Sequence, residues 1–210
     1  MRFQEHFMSK DNYVHKLREG APGQPIFFVF HGTGGDENQF FDFASRLLPN
    51  STVISPRGDV SEFGAARFFR RKAEGLYDMD DLARATDKMA AFVTANRDFY
   101  EAGLVIGLGF SNGANILANV LVESPELFDA SVLMHPLIPF EPKPAPAPAS
   151  RRVLVTAGEH DPICPVPLTN SLAEYLKAQG GEVKVEWHSG GHEIRSNEIE
   201  AVRTFLTPYM

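Results

Sequence analysis

The chain has 210 residues, of which 43% are hydrophobic and 22% are charged. A chain of this length buries enough apolar surface to fold without disulfides or structural metals, and we expect a single domain over residues 1–210. Its 20 basic and 27 acidic side chains give a formal charge of -7, which has the wrong sign for a protein that binds nucleic-acid phosphates.

The sequence predicts a cytoplasmic protein. A single cysteine excludes a disulfide framework within the chain and fits a reducing compartment. Residues 1–10 carry charges throughout and lack the apolar run of a signal peptide. No run of about 18 apolar residues occurs, so we expect no membrane span.

Short apolar runs alternate with longer amphipathic ones along the chain, which is typical of βαβ units and a mostly parallel sheet. The predicted strands are 26–30, 52–55, 104–110, 130–135, 153–157 and 183–187. The predicted helices are 36–48, 79–98, 112–123, 166–179 and 195–206. Residues 12–18 are expected to add an antiparallel edge strand. The predicted fold class is α/β, with helices on both faces of the sheet and no large cap domain.

Residues 139–150 hold five prolines and show no periodicity. Such a composition is typical either of an interdomain linker or of a stiff surface loop. Because the predicted strands on either side look like neighbours in one sheet, we expect a surface loop within a single domain.

The strongest chemical motif is GFSNG at residues 109–113, which matches G-x-S-x-G. It follows a predicted strand and precedes a predicted helix, which is the context of a nucleophile elbow that exposes the hydroxyl of Ser111. The alternative is a dinucleotide-binding turn, but that motif requires a third glycine at a different spacing. Cys164 lacks the elbow context, and we expect it to be packed and inert; the alternative is a modifiable thiol near the site.

A serine nucleophile needs a base, and the base needs an orienting acid. Residues 158–162 (GEHDP) follow the predicted strand 153–157, so their carboxylates lie where α/β folds place their sites. We predict Asp161 as the acid rather than Glu159, because the proline that follows it restrains the loop. The alternative is an ordinary exposed loop aspartate.

The predicted base is His192, which follows two glycines in the segment SGGHE. The glycines let the backbone present the imidazole inward, whereas the competing His188 sits at the end of a strand. These two histidines have the i, i+4 spacing of a helical zinc site, yet the intervening glycines disfavour a helix. We therefore predict no metal.

The segment HGTGG at residues 31–35 follows the first predicted strand. Acyl transfer builds negative charge on a carbonyl oxygen, and each preorganised backbone amide that stabilises it contributes about 10²–10³ in rate. We predict that the amides of Thr33 and Asn112 form this oxyanion hole. The alternative is a phosphate-binding turn, but no Walker-type lysine follows. His31 is expected to shape the loop through hydrogen bonds.

Residues 67–72 contain four basic side chains and two phenylalanines. One interpretation makes Phe68 and Phe69 an aromatic wall of the site and Arg70 an anchor for an acidic substrate group. The alternative is a solvated loop whose phenylalanines pack inward. His135, at the end of a predicted strand, either lines the pocket or is a hydrogen-bonded structural histidine.

Over nearly its whole length the chain resembles the phospholipase/carboxylesterase group of α/β-hydrolases, which includes acyl-protein thioesterases. The matching segments are HGTGGDENQF at 31–40, SPRG at 55–58, GFSNG at 109–113, GEHDP at 158–162 and GGH at 190–192. Where thioesterases usually carry HGLGD and GFSQG, this chain differs, and it is more similar to a bacterial branch of small esterases.

The resemblance implies a Ser111–Asp161–His192 triad, hydrolysis of a small carboxylic ester through an acyl-enzyme, and no cofactor. Thioesters, lysophospholipids, lactones and aromatic degradation products are alternative substrates. A binding protein on a hydrolase scaffold is an alternative of another class. The resemblance is compatible with a homodimer, for which the residues themselves offer no argument.

Overall fold

A computed structural model describes residues 10–143 and 151–210 of the chain. The strands in these residues are β1 (His15–Arg18), β2 (Ile26–Phe30), β3 (Thr52–Pro56), β4 (Val60–Glu62), β5 (Ala65–Arg67), β6 (Arg71–Ala73), β7 (Leu76–Tyr77), β8 (Val105–Phe110), β9 (Ala130–Met134), β10 (Arg152–Gly158) and β11 (Glu182–His188). The helices are α1 (Phe41–Leu47), α2 (Met79–Phe99), α3 (Asn112–Glu123), α4 (Val166–Ala178) and α5 (Ser196–Leu206), followed by a 3₁₀ turn at Thr207–Tyr209.

Seven strands form one sheet in the order β1-β3-β2-β8-β9-β10-β11. Every pairing in this sheet is parallel except that of β1 with β3. All five residues of β2 are buried, and successive side chains enter opposite cores. Phe28 and Phe30 belong to one core, and Phe27 and Val29 to the other. A strand this apolar requires cover on both sides, which explains its continuous hydrophobic run.

Helices supply that cover on both faces of the sheet. Helices α2, α3 and α4 pack in the core that contains Phe28, through side chains such as Met89, Leu117 and Leu172. Helices α1 and α5 pack on the opposite face, through Phe41 and Phe205. In the part of the chain that the structure describes, no cap domain is inserted, and two small hairpins, β4–β5 and β6–β7, precede α2. The predicted α/β-hydrolase fold class is thus confirmed.

The edge strand expected within residues 12–18 is confirmed as β1, which pairs antiparallel with β3. The expected helix over residues 36–48 is wrong in its first part, because α1 begins at Phe41. The residues before α1 form turns. The Asp36 carboxylate accepts a hydrogen bond from the amide of Asn38, and such a local bond competes with the backbone hydrogen bonds of a helix. The side chain of Gln39 in turn accepts from the amide of Gly32 at 2.8 Å.

Two further expectations concern the end of β9 and the proline-rich loop. The predicted strand 130–135 ends one residue early, because His135 adopts a positive φ of 51° and leaves the sheet. Residues 139–143 form a loop, and residues 144–150 lie outside the described residues. No described helix combines the length and the apolar character needed to cross a bilayer.

The two-core packing predicts unequal effects for two phenylalanine substitutions. Phe28 is fully buried, whereas Phe63, in the turn between β4 and β5, is fully exposed. Phe28→Ala should lower the free energy of unfolding by about 3–5 kcal/mol, because it leaves a cavity in a packed core. Phe63→Ala should change it by less than about 0.5 kcal/mol. Urea unfolding of both variants measures the difference, and similar losses for the two would contradict this packing.

Candidate active site

Ser111 lies in a sharp turn between β8 and α3, with backbone angles φ 51° and ψ -117°. This left-handed conformation is strained for a residue with a side chain and is typical of functional positions. Its neighbours must be glycines. A Cβ atom on Gly109 would lie 2.4 Å from the Gly113 carbonyl oxygen, and one on Gly113 would lie 2.3 Å from the Phe30 carbonyl oxygen. The turn therefore has the form of the predicted nucleophile elbow.

The three residues predicted from widely separated segments meet at the ends of β8, β10 and β11. The Oγ atom of Ser111 lies 2.8 Å from Nε2 of His192. Nδ1 of the same imidazole lies 2.7 Å from Oδ2 of Asp161. Because a carboxylate only accepts, Nδ1 carries the proton and Nε2 is free to accept from the serine hydroxyl.

Asp161 is held by its own loop as well as by His192. Its Oδ1 atom accepts hydrogen bonds from the amides of Ile163 and Cys164, at 2.8 and 2.9 Å. Burial raises the pKa of this carboxyl group, but hydrogen bonds from His135, the Cys164 amide and His192 outweigh it and hold the pKa below its usual value. The carboxylate is therefore ionised and fixed in orientation.

The loop after β2 is rigidly held beside the elbow. The amide of Gly34 donates to the Ala66 carbonyl at 2.9 Å, and the side chain of Arg67 donates to Oγ1 of Thr33 at 2.7 Å. His31 is buried, accepts from the Gly58 amide at Nε2 and donates to a backbone oxygen from Nδ1. Burial is the main reason that the pKa of His31 is lowered. This histidine is neutral and shapes the loop.

A cleft of about 290 Å³ opens at Ser111. Its lining residues are Thr33, Arg67, Arg71, Glu74, Tyr77, Phe110, Ser111, Asn112, Asn115, Leu137, Ile163, Cys164 and His192. Five of them were predicted individually from the sequence, namely Thr33, Ser111, Asn112, Cys164 and His192. The walls of this cleft therefore combine apolar and charged side chains.

Sequence reasoning missed most of the polar wall of this cleft. The hydroxyl of Tyr77 donates to the Leu137 carbonyl at 2.7 Å and accepts from the Asn115 side chain at 2.8 Å. Asn115 lies one helical turn after the elbow serine, and that spacing was an available signal. Arg67 and Arg71 belong to the basic segment noted in the sequence, and both pair with Glu62.

The structure corrects the expected roles of Phe68, Phe69 and Arg70. Both phenylalanines are completely buried, where Phe68 packs on His31 at a centroid distance of 4.7 Å. The Arg70 side chain is 61% exposed and pairs with Asp81 at 3.1 Å, outside the cleft. Apolar side chains in this segment turn toward the core because burial there removes their apolar surface from water, so the inward-packing alternative holds.

The structure also corrects the interpretation of His135 as a pocket residue. Its side chain is fully buried, its Nδ1 atom lies 2.8 Å from Oδ2 of Asp161, and it is not among the residues that line the cleft. It is therefore the hydrogen-bonded histidine of the other interpretation. Glu198, which lies 3.1 Å from its second nitrogen, was not found from the sequence, where it has the pattern of an ordinary helix-capping glutamate.

Cys164 is packed, as expected, although it borders the cleft. Its side chain is 1% exposed, and its Sγ atom lies 3.2 Å from the carbonyl oxygen of His135. Burial raises the pKa of this thiol above its usual value. The sulfur is thus held as a neutral thiol and is a poor nucleophile.

This arrangement of sheet, elbow and three converging side chains defines the α/β-hydrolase class. Residues 68–198 match the dienelactone hydrolase family, and the chain belongs to that family. MhqD of Bacillus subtilis (strain 168) is 33% identical over 189 residues, which cover 89% of this chain and 94% of that protein.

Solved structures extend the similarity over nearly the whole chain. A protein of unknown function from Agrobacterium tumefaciens, Atu2452, is 71% identical, with a TM-score of 0.94 over 97% of this chain and 100% of that one. A carboxylesterase from Bacillus cereus is 30% identical, with a TM-score of 0.90 over 98% of each chain. The expected similarity to small bacterial esterases is confirmed, and these relatives support a hydrolase of the esterase kind.

The close packing at the elbow predicts that one added methyl group at residue 113 lowers the stability of the protein. Gly113→Ala should destabilise the protein by about 1–3 kcal/mol or more, because the new Cβ would overlap the backbone of β2, which cannot move aside. In Gly103→Ala, the matched control, a Cβ would meet nothing within 4 Å. Thermal unfolding compares the two, and equal melting temperatures would contradict the close approach of α3 to β2.

Proposed function

We propose that the protein hydrolyses small carboxylic esters with Ser111 as nucleophile, His192 as general base and Asp161 as the acid that orients it. The observation that carries this proposal is the unbroken sequence of contacts from Oγ of Ser111 through His192 to Asp161, at 2.8 and 2.7 Å. Both distances lie within the range required for proton transfer.

In the first half of the reaction, Oγ of Ser111 attacks the ester carbonyl while its proton passes to Nε2 of His192. The imidazolium then donates this proton to the leaving alcohol as the tetrahedral intermediate collapses to an acyl-enzyme. In the second half, His192 takes a proton from water, the resulting hydroxide releases the acid, and the serine regains its proton. Asp161 stays ionised throughout and stabilises the charged form of the imidazole.

We assign the stabilisation of the oxyanion in each intermediate to the backbone amides of Thr33 and Asn112. Asn112 is the first residue of α3, and the first amides of a helix have no acceptor within it. Its side chain accepts from the amide of Phe68 at 2.8 Å, which ties the helix start to the neighbouring loop. Thr33 lies across the same cleft and is held there by Arg67.

The cleft and the family together favour compact esters, including cyclic ones. A cleft of about 290 Å³ leaves little room for a long acyl chain. A lactone is a cyclic ester, so the same three residues open it by the same steps, and membership of the dienelactone hydrolase family supports it as the second substrate class. A panel of p-nitrophenyl esters of increasing chain length, a thioester and a dienelactone ranks these substrates.

Replacing the proposed nucleophile tests the mechanism. Ser111→Ala should lower kcat for p-nitrophenyl acetate by about four orders of magnitude or more, because it removes the hydroxyl that His192 activates. Ser171→Ala, at an exposed serine of α4, is the matched control and should retain full activity. Circular dichroism verifies that both variants fold.

Labelling by a fluorophosphonate separates an enzyme from a binding protein. The wild type should label at Ser111, since only an activated serine attacks the phosphorus atom, and Ser111→Ala should stay unlabelled. Activity retained by Ser111→Ala, or a wild type that does not label, would defeat the proposal.

The contact between Arg67 and Thr33 predicts a change in kcat rather than in KM. Arg67→Lys keeps the charge but lacks the fork that reaches both Oγ1 of Thr33 and the Phe69 carbonyl. The loop should lose its fixed position, and kcat should fall by about tenfold while KM changes by less than about threefold. Arg84→Lys, at a half-exposed ion pair, is the control. A rise in KM alone would show that Arg67 serves only to bind substrate.

A further inference from the structure

A cluster of buried ionisable side chains lies directly behind the proposed triad. His135 follows β9, His188 ends β11, and Glu198 lies in the first turn of α5, and all three are buried. Nδ1 of His135 is 2.8 Å from Oδ2 of Asp161, and Nε2 of His135 is 3.1 Å from Oε1 of Glu198. His135 thus bridges two carboxylates, of which one orients His192.

The proton on His188 is assigned by its backbone contact. The amide of Gly190 donates to Nδ1 of His188 at 3.0 Å, and an amide can only donate. Nδ1 therefore has no proton, and Nε2 carries one. This Nε2–H group faces Oε2 of Glu198 at 3.2 Å and donates to the glutamate.

The remaining partners of Glu198 also donate to it. The Thr156 hydroxyl donates to Oε1 at 2.5 Å, and the Arg195 amide donates to Oε2 at 2.6 Å. Burial raises the pKa of Glu198, but hydrogen bonds from His135, Thr156 and Arg195 together hold it below its usual value. With donors on both oxygens, the glutamate is an ionised acceptor.

His135 therefore faces an ionised carboxylate at each of its two nitrogens. A neutral imidazole carries one proton and would set an unprotonated nitrogen against Asp161 or Glu198, which is repulsive. Burial alone would lower the pKa of His135, but its hydrogen bonds with Glu198 and Asp161 raise the pKa above the ordinary histidine value. Both carboxylates and the geometry thus favour the doubly protonated ring.

We propose that His135 is a buried imidazolium, held between Asp161 and Glu198, that positions the acid of the triad and opposes the protonation of His192. It shares Oδ2 of Asp161 with His192, and the centroids of the two imidazole rings are 5.1 Å apart. A fixed positive charge at this distance makes a second positive charge on His192 unfavourable.

The groups that face His135 come from every element around it. They are Asp161 after β10, Glu198 on α5, His188 at the end of β11, His192 in the following loop, the ring of Phe110 at the end of β8 and the thiol of Cys164. Only the two carboxylates are negative, and each contacts His135 directly. In this assignment the positive charge of His135 lies between two negative charges, those of Asp161 and Glu198.

A metal ion is the competing interpretation of this cluster. Ligand atoms of His135, His188 and Glu198 lie within 4.8 Å of one another, which is close enough for one ion. A metal would need an unprotonated Nε2 on His188, however, and the Gly190 amide already occupies the lone pair of Nδ1. Zinc in the purified protein at about one ion per chain, measured by mass spectrometry, would overturn the assignment of an imidazolium.

The charge on His135 is tested on the unmodified active site by NMR. Long-range ¹H–¹⁵N spectra of the ¹⁵N-labelled wild type and of Ser111→Ala, assigned with His135→Asn, distinguish doubly protonated from neutral rings. We expect both nitrogens of His135 to be protonated from pH 6 to pH 8. A neutral tautomer of His135 at pH 7 would overturn the proposal.

The effect on His192 is tested by the pH profile of kcat/KM. In the double variant His135→Asn/Glu198→Gln, the asparagine still donates to Asp161, and one charge of each sign is removed. Protonation of His192 becomes easier, so the acid limb should move up by about one pH unit. Relative to the wild type, kcat/KM of this variant should fall about tenfold more on the acid side of that limb than on the alkaline plateau. Glu200→Gln, at an exposed position of α5, is the control and should leave the profile unchanged.

Only the pH profile of kcat/KM, and not the NMR test, depends on the proposed triad. Activity retained by Ser111→Ala would sink the proposed mechanism, while the NMR spectra of that variant would still report the charge of His135. A loss of kcat/KM that is equal at every pH would assign His135 a merely structural role and overturn the proposal. An acid limb that moves, together with a doubly protonated ring, supports it.

Discussion

The close approach of α3 to β2 is the constraint on which the site depends. The first turn of α3 lies so near this strand that a Cβ atom on Gly113 would overlap the carbonyl oxygens of Phe30 and His31. This contact forces the chain to turn sharply after β8, and the turn places Ser111 in the left-handed region. It also brings the loop after β2 against the elbow, where Gly32 packs on the ring of Phe110. One steric contact thus arranges both the serine and the loop opposite it.

The second organising interaction is the buried carboxylate of Asp161, which receives four hydrogen bonds. Two come from amides of its own loop, and two from the imidazoles of His192 and His135. A buried carboxylate is costly unless its oxygens are satisfied, so these donors are a condition of its burial as well as of its orientation. The second nitrogen of His135 contacts Glu198 on α5. Hydrogen bonds through these side chains thus join the ends of four strands to α5.

Local signals in the sequence were enough for the parts of the site that obey local rules. Glycine at 109 and 113 around a serine, after an apolar run, predicts the elbow because only glycine tolerates such close backbone contact. Chain order and strand ends then indicate Asp161 and His192. By contrast, the expected helix over 36–48 was too long, since the contact of Gln39 with Gly32 joins two segments whose pairing no periodicity reveals.

The sequence by itself determined the fold class, the elbow serine and its two partners, because each follows from hydrophobic periodicity or from a steric rule that acts over a few residues. Only the tertiary structure decided that Phe68 and Phe69 are core residues, that Arg67 rather than Arg70 borders the cleft, and that His135 meets Glu198. These outcomes depend on which side chains are brought together from distant segments, and on which of them the core must bury. Such pairings are set by packing in three dimensions, so no local pattern of residues records them.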